Sequence, residues 1–226
     1  MRKILILGGG VVAAAVILGG LYRVLPLQAG PSSTTSAPGG PIQTAQAATP
    51  PAELQVTPAD HALGSADAPV TIIEYASMTC GHCAAFHVLT LPELKKKYVD
   101  TGKVRFVYRD FPLDKFALQA AQIAECAGND RYFGVVDLVF QTQAQWTAGK
   151  DPIAELTKSL RIAGIGEADV KACLANEKVA DAIVAERTTA EKLGVSSTPT
   201  LFINGERFSG NRTIEALDEA LGKLLK

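Results

Sequence analysis

Pro69-Val-Thr-Ile-Ile-Glu-Tyr-Ala76 is a nearly continuous apolar run of strand length, and four residues after it comes Cys80-Gly81-His82-Cys83. A β-branched run without polar alternation fits a central strand buried on both faces. A chain built around such a strand needs cover on each side, so a layered α/β core is the architecture to test. Lys103–Arg109 alternates charged and apolar residues and reads as a second strand. Between them, a helix is expected from Cys80 towards Lys97, with Pro92 kinking or interrupting it.

From Asp114 to Gly194 the hydrophobic spacing is helical throughout. Asp151-Pro152 supplies an N-cap and first-turn pair, and Gly164 is placed to end that helix. Val170, Cys173 and Leu174 suggest a short helix, and Val179 to Leu193 a longer one stopping at Gly194. Thr200–Ile203, the turn Asn204-Gly205, and Glu206–Phe208 predict a β-hairpin. Ile214, Leu217, Leu221 and Leu224 mark a closing amphipathic helix. The expected order is strand, helix, strand, a helical block over 114–194, then hairpin and helix.

The first fifty residues have a different composition. Ile4–Tyr22 is a nineteen-residue uncharged stretch behind Arg2-Lys3, longer than the roughly 7–15 residues of a signal h-region. Its length favours a retained membrane anchor with a cytoplasmic N-terminus, and cleavage after Leu27-Gln28-Ala29 is the alternative. Residues 1–29 are therefore read as an anchor or signal, and 30–51 as a flexible tether rich in Pro, Ser, Thr, Ala and Gly. Residues 52–226 are the folded domain. Either reading of the N-terminus exports that domain to an oxidising compartment, the periplasm. The whole chain carries 22 Lys and Arg against 23 Asp and Glu, a balance that argues against nucleic-acid binding.

Placed between a buried strand and a helix, the two cysteines carry chemistry. Residues three apart share one helix face, close enough for a disulfide to close. Unpaired N–H groups and the dipole at a helix start favour a thiolate at Cys80, and His82 can add positive charge beside it. A thiolate is the attacking species in disulfide exchange, and Cys83, deeper in the helix, would be the resolving thiol. A structural disulfide and half a zinc site are the bland alternatives. Zinc needs four ligands, yet neither Cys126 nor Cys173 lies in a second CxxC, and His61 and His87 add no ligand spacing. No metal and no other cofactor is expected. Glu74, in mid-strand, is costly there unless it is paired or does chemistry, or unless strand alternation turns it to solvent. His87, about two turns beyond Cys80, and Trp146 are read as structural or surface residues.

Ile73-Glu-Tyr-Ala-Ser-Met-Thr-Cys-Gly-His-Cys83 resembles the active-site segment of thioredoxin-fold disulfide oxidoreductases. The helical block narrows the resemblance to the DsbA-like family, a thioredoxin fold with an inserted all-helical domain. Thr198-Pro199-Thr200 falls where that family carries a cis-proline, and the resemblance spans about Glu53–Lys226. It implies that the Thr198-Pro199 loop binds the client's cysteine segment, and that Glu74 helps move protons for the resolving thiol. It also supports a second, structural disulfide between Cys126 and Cys173, with a pair of buried free thiols as the competing reading. The clients implied are reduced, unfolded exported proteins, and the reoxidant a DsbB-like membrane protein. No dimerisation segment is evident, so a monomer is expected. Two departures from the family pattern bear on direction. Gly81-His82 keeps the histidine of the strongly oxidising Pro-His form without its proline, and Thr198 replaces a valine. A disulfide oxidase is the leading expectation; a reductase or isomerase, and a redox-inactive chaperone or copper-binding module, are the alternatives.

Overall fold

The computed structural model describes residues 50–226. The anchor or signal expected over 1–29, and the tether over 30–51 except its last two residues, lie outside the described residues. Among the described residues no helix is long and apolar enough to cross a membrane.

Five strands form one mixed sheet: β1 (His61–Leu63), β2 (Val70–Ala76), β3 (Val104–Asp110), β4 (Thr200–Ile203) and β5 (Glu206–Arg207), in the order β1-β3-β2-β4-β5. β2 and β3 run parallel, and the other pairings are antiparallel. β2 is central, as its apolar run requires. Its Ile73 and Tyr75 face one core with Val107, Phe202, Leu54 and Ala190. Val70, Ile72 and Ala76 face the other and larger core. By strand alternation Glu74 belongs to that larger-core side, and in the β2–β3 register it sits opposite Tyr108. β1 was not expected from the sequence. Three residues give too short a pattern to read, and β1 is recognisable only by its pairing with β3.

The helix after β2 opens as α1 (Gly81–Ala85), widens to π geometry over Phe86–Thr90, continues as α2 (Leu91–Leu94), and widens again over Lys95–Val99. Helical structure thus continues through Pro92, with a π widening directly before it. Proline has no N–H to give to the preceding turn, and just before it the Leu91 N–H reaches five residues back to the Phe86 carbonyl.

The expected helical block is present as α3 (Lys115–Cys126), α4 (Asn129–Gln141), α5 (Gln143–Thr147), α6 (Pro152–Leu160), α7 (Glu167–Leu174) and α8 (Glu177–Lys192), and α9 (Ile214–Leu224) closes the chain. Asp114 caps α3 by accepting from the Phe116 and Ala117 N–H groups, and Asp151 caps α6 by accepting from Ala154. Gly164 and Gly194 end their helices at φ of 74° and 80°. In the hairpin, Asn204 and Gly205 both take positive φ, as a type I′ turn demands.

One buried cation ties the start of the domain to the sheet. Arg109 donates to Asp60, to the Tyr75 hydroxyl, and to the Glu53 and Gln55 carbonyls. Every face of the guanidinium fork is thus used, which a buried charge needs.

A dithiol site at the end of the central strand

The loop Ser77–Thr79 carries the chain from β2 into α1, with Cys80 as the N-cap residue. Two side chains and one backbone N–H from beyond the loop hold it in place. Gln143, from α5, donates to the Met78 and Cys80 carbonyls at 2.9 and 3.0 Å. The Thr79 hydroxyl donates to Asp114 at 2.7 Å, and the Leu113 N–H donates to the Ser77 hydroxyl. The helical block thereby grips the loop that presents the cysteines. Gln143 carried no signal in the sequence, because its partners are backbone atoms more than sixty residues away.

Cys80 is half-buried and Cys83 fully buried. The Cys80 thiol is lowered to about 5, first by the hydrogen bond from the Cys83 thiol, then by the Thr198 side chain and the backbone N–H groups of Cys83 and His82. Its Sγ also lies 3.3 Å from the Thr198 carbonyl, a contact that favours the protonated thiol. That single acceptor is outweighed by the several donors converging on the same sulfur. His82 acts on the sulfur through its backbone, and its imidazole is exposed. Cys83 is pushed the opposite way, far above the usual thiol range. Burial is the main cause, followed by its hydrogen bond to Cys80 and the negative charge of Glu74.

The Thr198–Pro199 peptide bond is cis. This turn forms one wall of an open groove of about 540 Å³ beside the cysteines, whose lining includes His82, Phe86, Leu89, Pro199 and Arg212. Leu89 is 71% exposed, a large apolar side chain left in solvent at the rim.

Glu74 is buried, and its Oε2 lies 2.8 Å from His87 Nε2. His87 is therefore no surface residue: its ring stacks on Phe140 at 4.2 Å between centroids and lies edge-on to Tyr108. Of the two expectations for it, structural or surface, the structural one fits; residues 80, 83 and 87 lie on one helix face, where a polar residue aimed at the core is a signal. Trp146 is fully buried, and its indole N–H donates to the Val139 carbonyl.

Cys126 and Cys173, from α3 and α7, are brought together away from the first pair. Their thiols hydrogen-bond, and burial followed by Cys126 pushes the Cys173 thiol up to about 12. All four cysteines are free thiols in this structure.

A five-stranded mixed sheet, a CxxC at the end of its central strand, a cis-proline opposite, and helices inserted between β3 and β4 define a thioredoxin fold with an all-helical insertion. The thioredoxin family profile matches residues 56–223. The chain is 32% identical to a Rickettsia felis protein named "Putative protein-disulfide oxidoreductase", covering 81% of this chain and 71% of that one. It is 34% identical to a Rickettsia bellii protein of the same name, of which it spans 64%. The crystal structure of Wolbachia pipientis alpha-DsbA1 is 31% identical and superposes with a TM-score of 0.70, over 76% of this chain and 93% of that one. The chain belongs to the thioredoxin family and is a DsbA-like member of it.

Proposed function

We propose that the protein is an exported thiol:disulfide oxidoreductase that donates a disulfide to client proteins through Cys80 and Cys83. The observation that carries this reading is the contrast between a half-exposed Cys80 thiol near 5 and a buried, protonated Cys83. In the oxidised protein the two are joined. A client thiolate attacks Cys80 Sγ, the Cys80–Cys83 bond breaks, and Cys83 leaves with the electron pair and takes up a proton. The client's second thiolate then attacks its own sulfur in the mixed disulfide, and Cys80 leaves as a thiolate. Two electrons have passed from the client dithiol to the protein, and the client keeps the disulfide.

Direction follows from the same contrast. Whatever stabilises the Cys80 thiolate stabilises the reduced form, and so makes the disulfide a stronger oxidant. His82, at the groove, adds to this when protonated. Thr198 and Pro199 would receive the client segment beside Cys80, and Glu74 would exchange protons with Cys83. Cys126 and Cys173 would close a structural disulfide within the helical block. Residues 1–29 would anchor or export the chain to the periplasm, and 30–51 would tether a monomeric domain. A DsbB-like membrane oxidant would restore the disulfide.

The test is equilibration with glutathione. The expected result is a potential above the glutathione poise of roughly −240 mV, with the dithiol form more resistant to denaturant than the disulfide form. A disulfide form more stable than the dithiol would overturn the oxidase and leave a reductase. Copper binding abolished by Cys80→Ala, without any exchange activity, would instead identify a metal-binding module.

A further inference from the structure

Two polar atoms beneath Cys83 are buried and lack a hydrogen-bond partner among the described residues: Glu74 Oε1 and His87 Nδ1. Their other ends meet, Oε2 to Nε2 at 2.8 Å, with both side chains at most 1% exposed. The imidazole is enclosed by Phe86, Phe106 and Phe140. The titratable groups that face the pair come from three sides. Tyr108 reaches it from β3 and Cys83 from the preceding helical turn, while Asp137 interacts with it from α4, with Lys95 beside Asp137.

In such surroundings charge state matters more than anywhere on the surface. With a neutral imidazole donating Nε2–H to an ionised Glu74, the pair holds one negative charge in an apolar site. One further proton makes it neutral. Opening the Cys80–Cys83 bond puts a negative charge on Cys83 beside the pair. If the pair is neutral at that moment, its extra proton moves to the buried sulfur, which burial makes a strong base, and the site is left with one negative charge. If the pair were already ionised, the site would hold two buried like charges, which repel strongly in a low dielectric.

We propose that His87 is a positioning residue for thiol exchange: it holds Glu74 Oε2, and the two share the one proton that Cys83 takes up when the disulfide opens and returns when it closes. This rests on the exchange chemistry proposed for Cys80 and Cys83. The sulfur–sulfur electron pair stays on Cys83, the proton comes from the pair, and the pair is recharged from solvent. The carboxylate alone would have to exchange that proton without a partner. His87 keeps it hydrogen-bonded in both states.

The test compares wild type with His87→Gln, His87→Phe and Glu74→Gln. Glutamine preserves a donor for Glu74 but does not titrate. In single-turnover resolution of a preformed Cys80 mixed disulfide, His87→Gln is expected to be about 10-fold slower near neutral pH. Its rate should lose the wild-type pH profile, while the ultraviolet titration of the Cys80 thiolate is unchanged. His87→Gln/Glu74→Gln should be no slower than either single variant. Independently of any client, the nitrogen NMR resonances of His87 should differ between disulfide and dithiol forms of the wild type and not in Glu74→Gln. If His87→Phe does not fold, His87→Gln carries the comparison. A wild-type rate and pH profile in His87→Gln, or His87 resonances insensitive to redox state, would overturn the proposal. A wild type that never forms the mixed disulfide would overturn the exchange reading, and the resonances would still decide whether the pair shares the proton.

Discussion

Cys80 and Cys83 are three residues apart and differ in acidity because one lies at a helix start and the other beneath it. Ultraviolet titration of the reduced protein should therefore show one thiolate forming near pH 5, lost in Cys80→Ser and moved to higher pH in Cys83→Ala, which removes the hydrogen bond from the Cys83 thiol. The same shift predicts a pH-dependent stability. An acid whose folded pKa lies below its unfolded value, about 8.5 for cysteine, stabilises the fold above that unfolded value. The stabilisation is lost as pH falls through about 5. Compared with Cys80→Ser by denaturant midpoint, reduced wild type should gain its full advantage near pH 9 and lose it below pH 5; a constant difference would show that the sulfur is not held as proposed. For the exchange itself, Cys83→Ala should accumulate mixed disulfides with clients and Cys80→Ala should not, read on non-reducing gels. Equal trapping by both would remove Cys80 from the attacking role.

At the scale of elements, the cysteines depend on side chains from outside their own helix. Gln143→Leu leaves the buried Met78 carbonyl without a donor and the Cys80 carbonyl with the Ala84 N–H alone. Leaving a buried polar group unsatisfied costs about 1–3 kcal/mol, and that loss should appear as a lower urea midpoint at unchanged slope. Asp114→Ala removes both the cap of α3 and the acceptor for Thr79. The cap alone accounts for about 0.5–2 kcal/mol, so the loss should exceed that of Asp151→Ala, which caps α6 without touching the site. Equal losses would mean that the Thr79 contact adds nothing. Both caps were legible as an Asp before an amphipathic helix, because capping is a local interaction. The second role of Asp114 was not, since Thr79 lies 35 residues away.

Across the whole molecule, Cys126 and Cys173 join two helices of the insertion. Peptide mapping of protein matured under oxidising conditions is expected to find them linked, stabilising the domain by about 4 kcal/mol in the chain-entropy model. Free thiols at both positions would return them to the role of buried hydrophobes. Arg109 works at the same scale, drawing Glu53, Gln55 and Asp60 onto the sheet. By itself the sequence determined what depends on neighbours along the chain: the doubly buried β2, the caps at Asp114 and Asp151, the Asn204-Gly205 turn, the helical spacing between the strands, and Cys80 at a helix start. Periodicity and capping are local, and a single chain displays them. Only the tertiary structure decided that β1 pairs with β3, that Gln143 holds the loop, that Arg109 binds the start of the domain, and that Glu74 meets His87. Those pairings join residues distant in sequence or on separate elements. What selects them is the cost of leaving a buried charge or donor without a partner, which appears only once the core has closed around it.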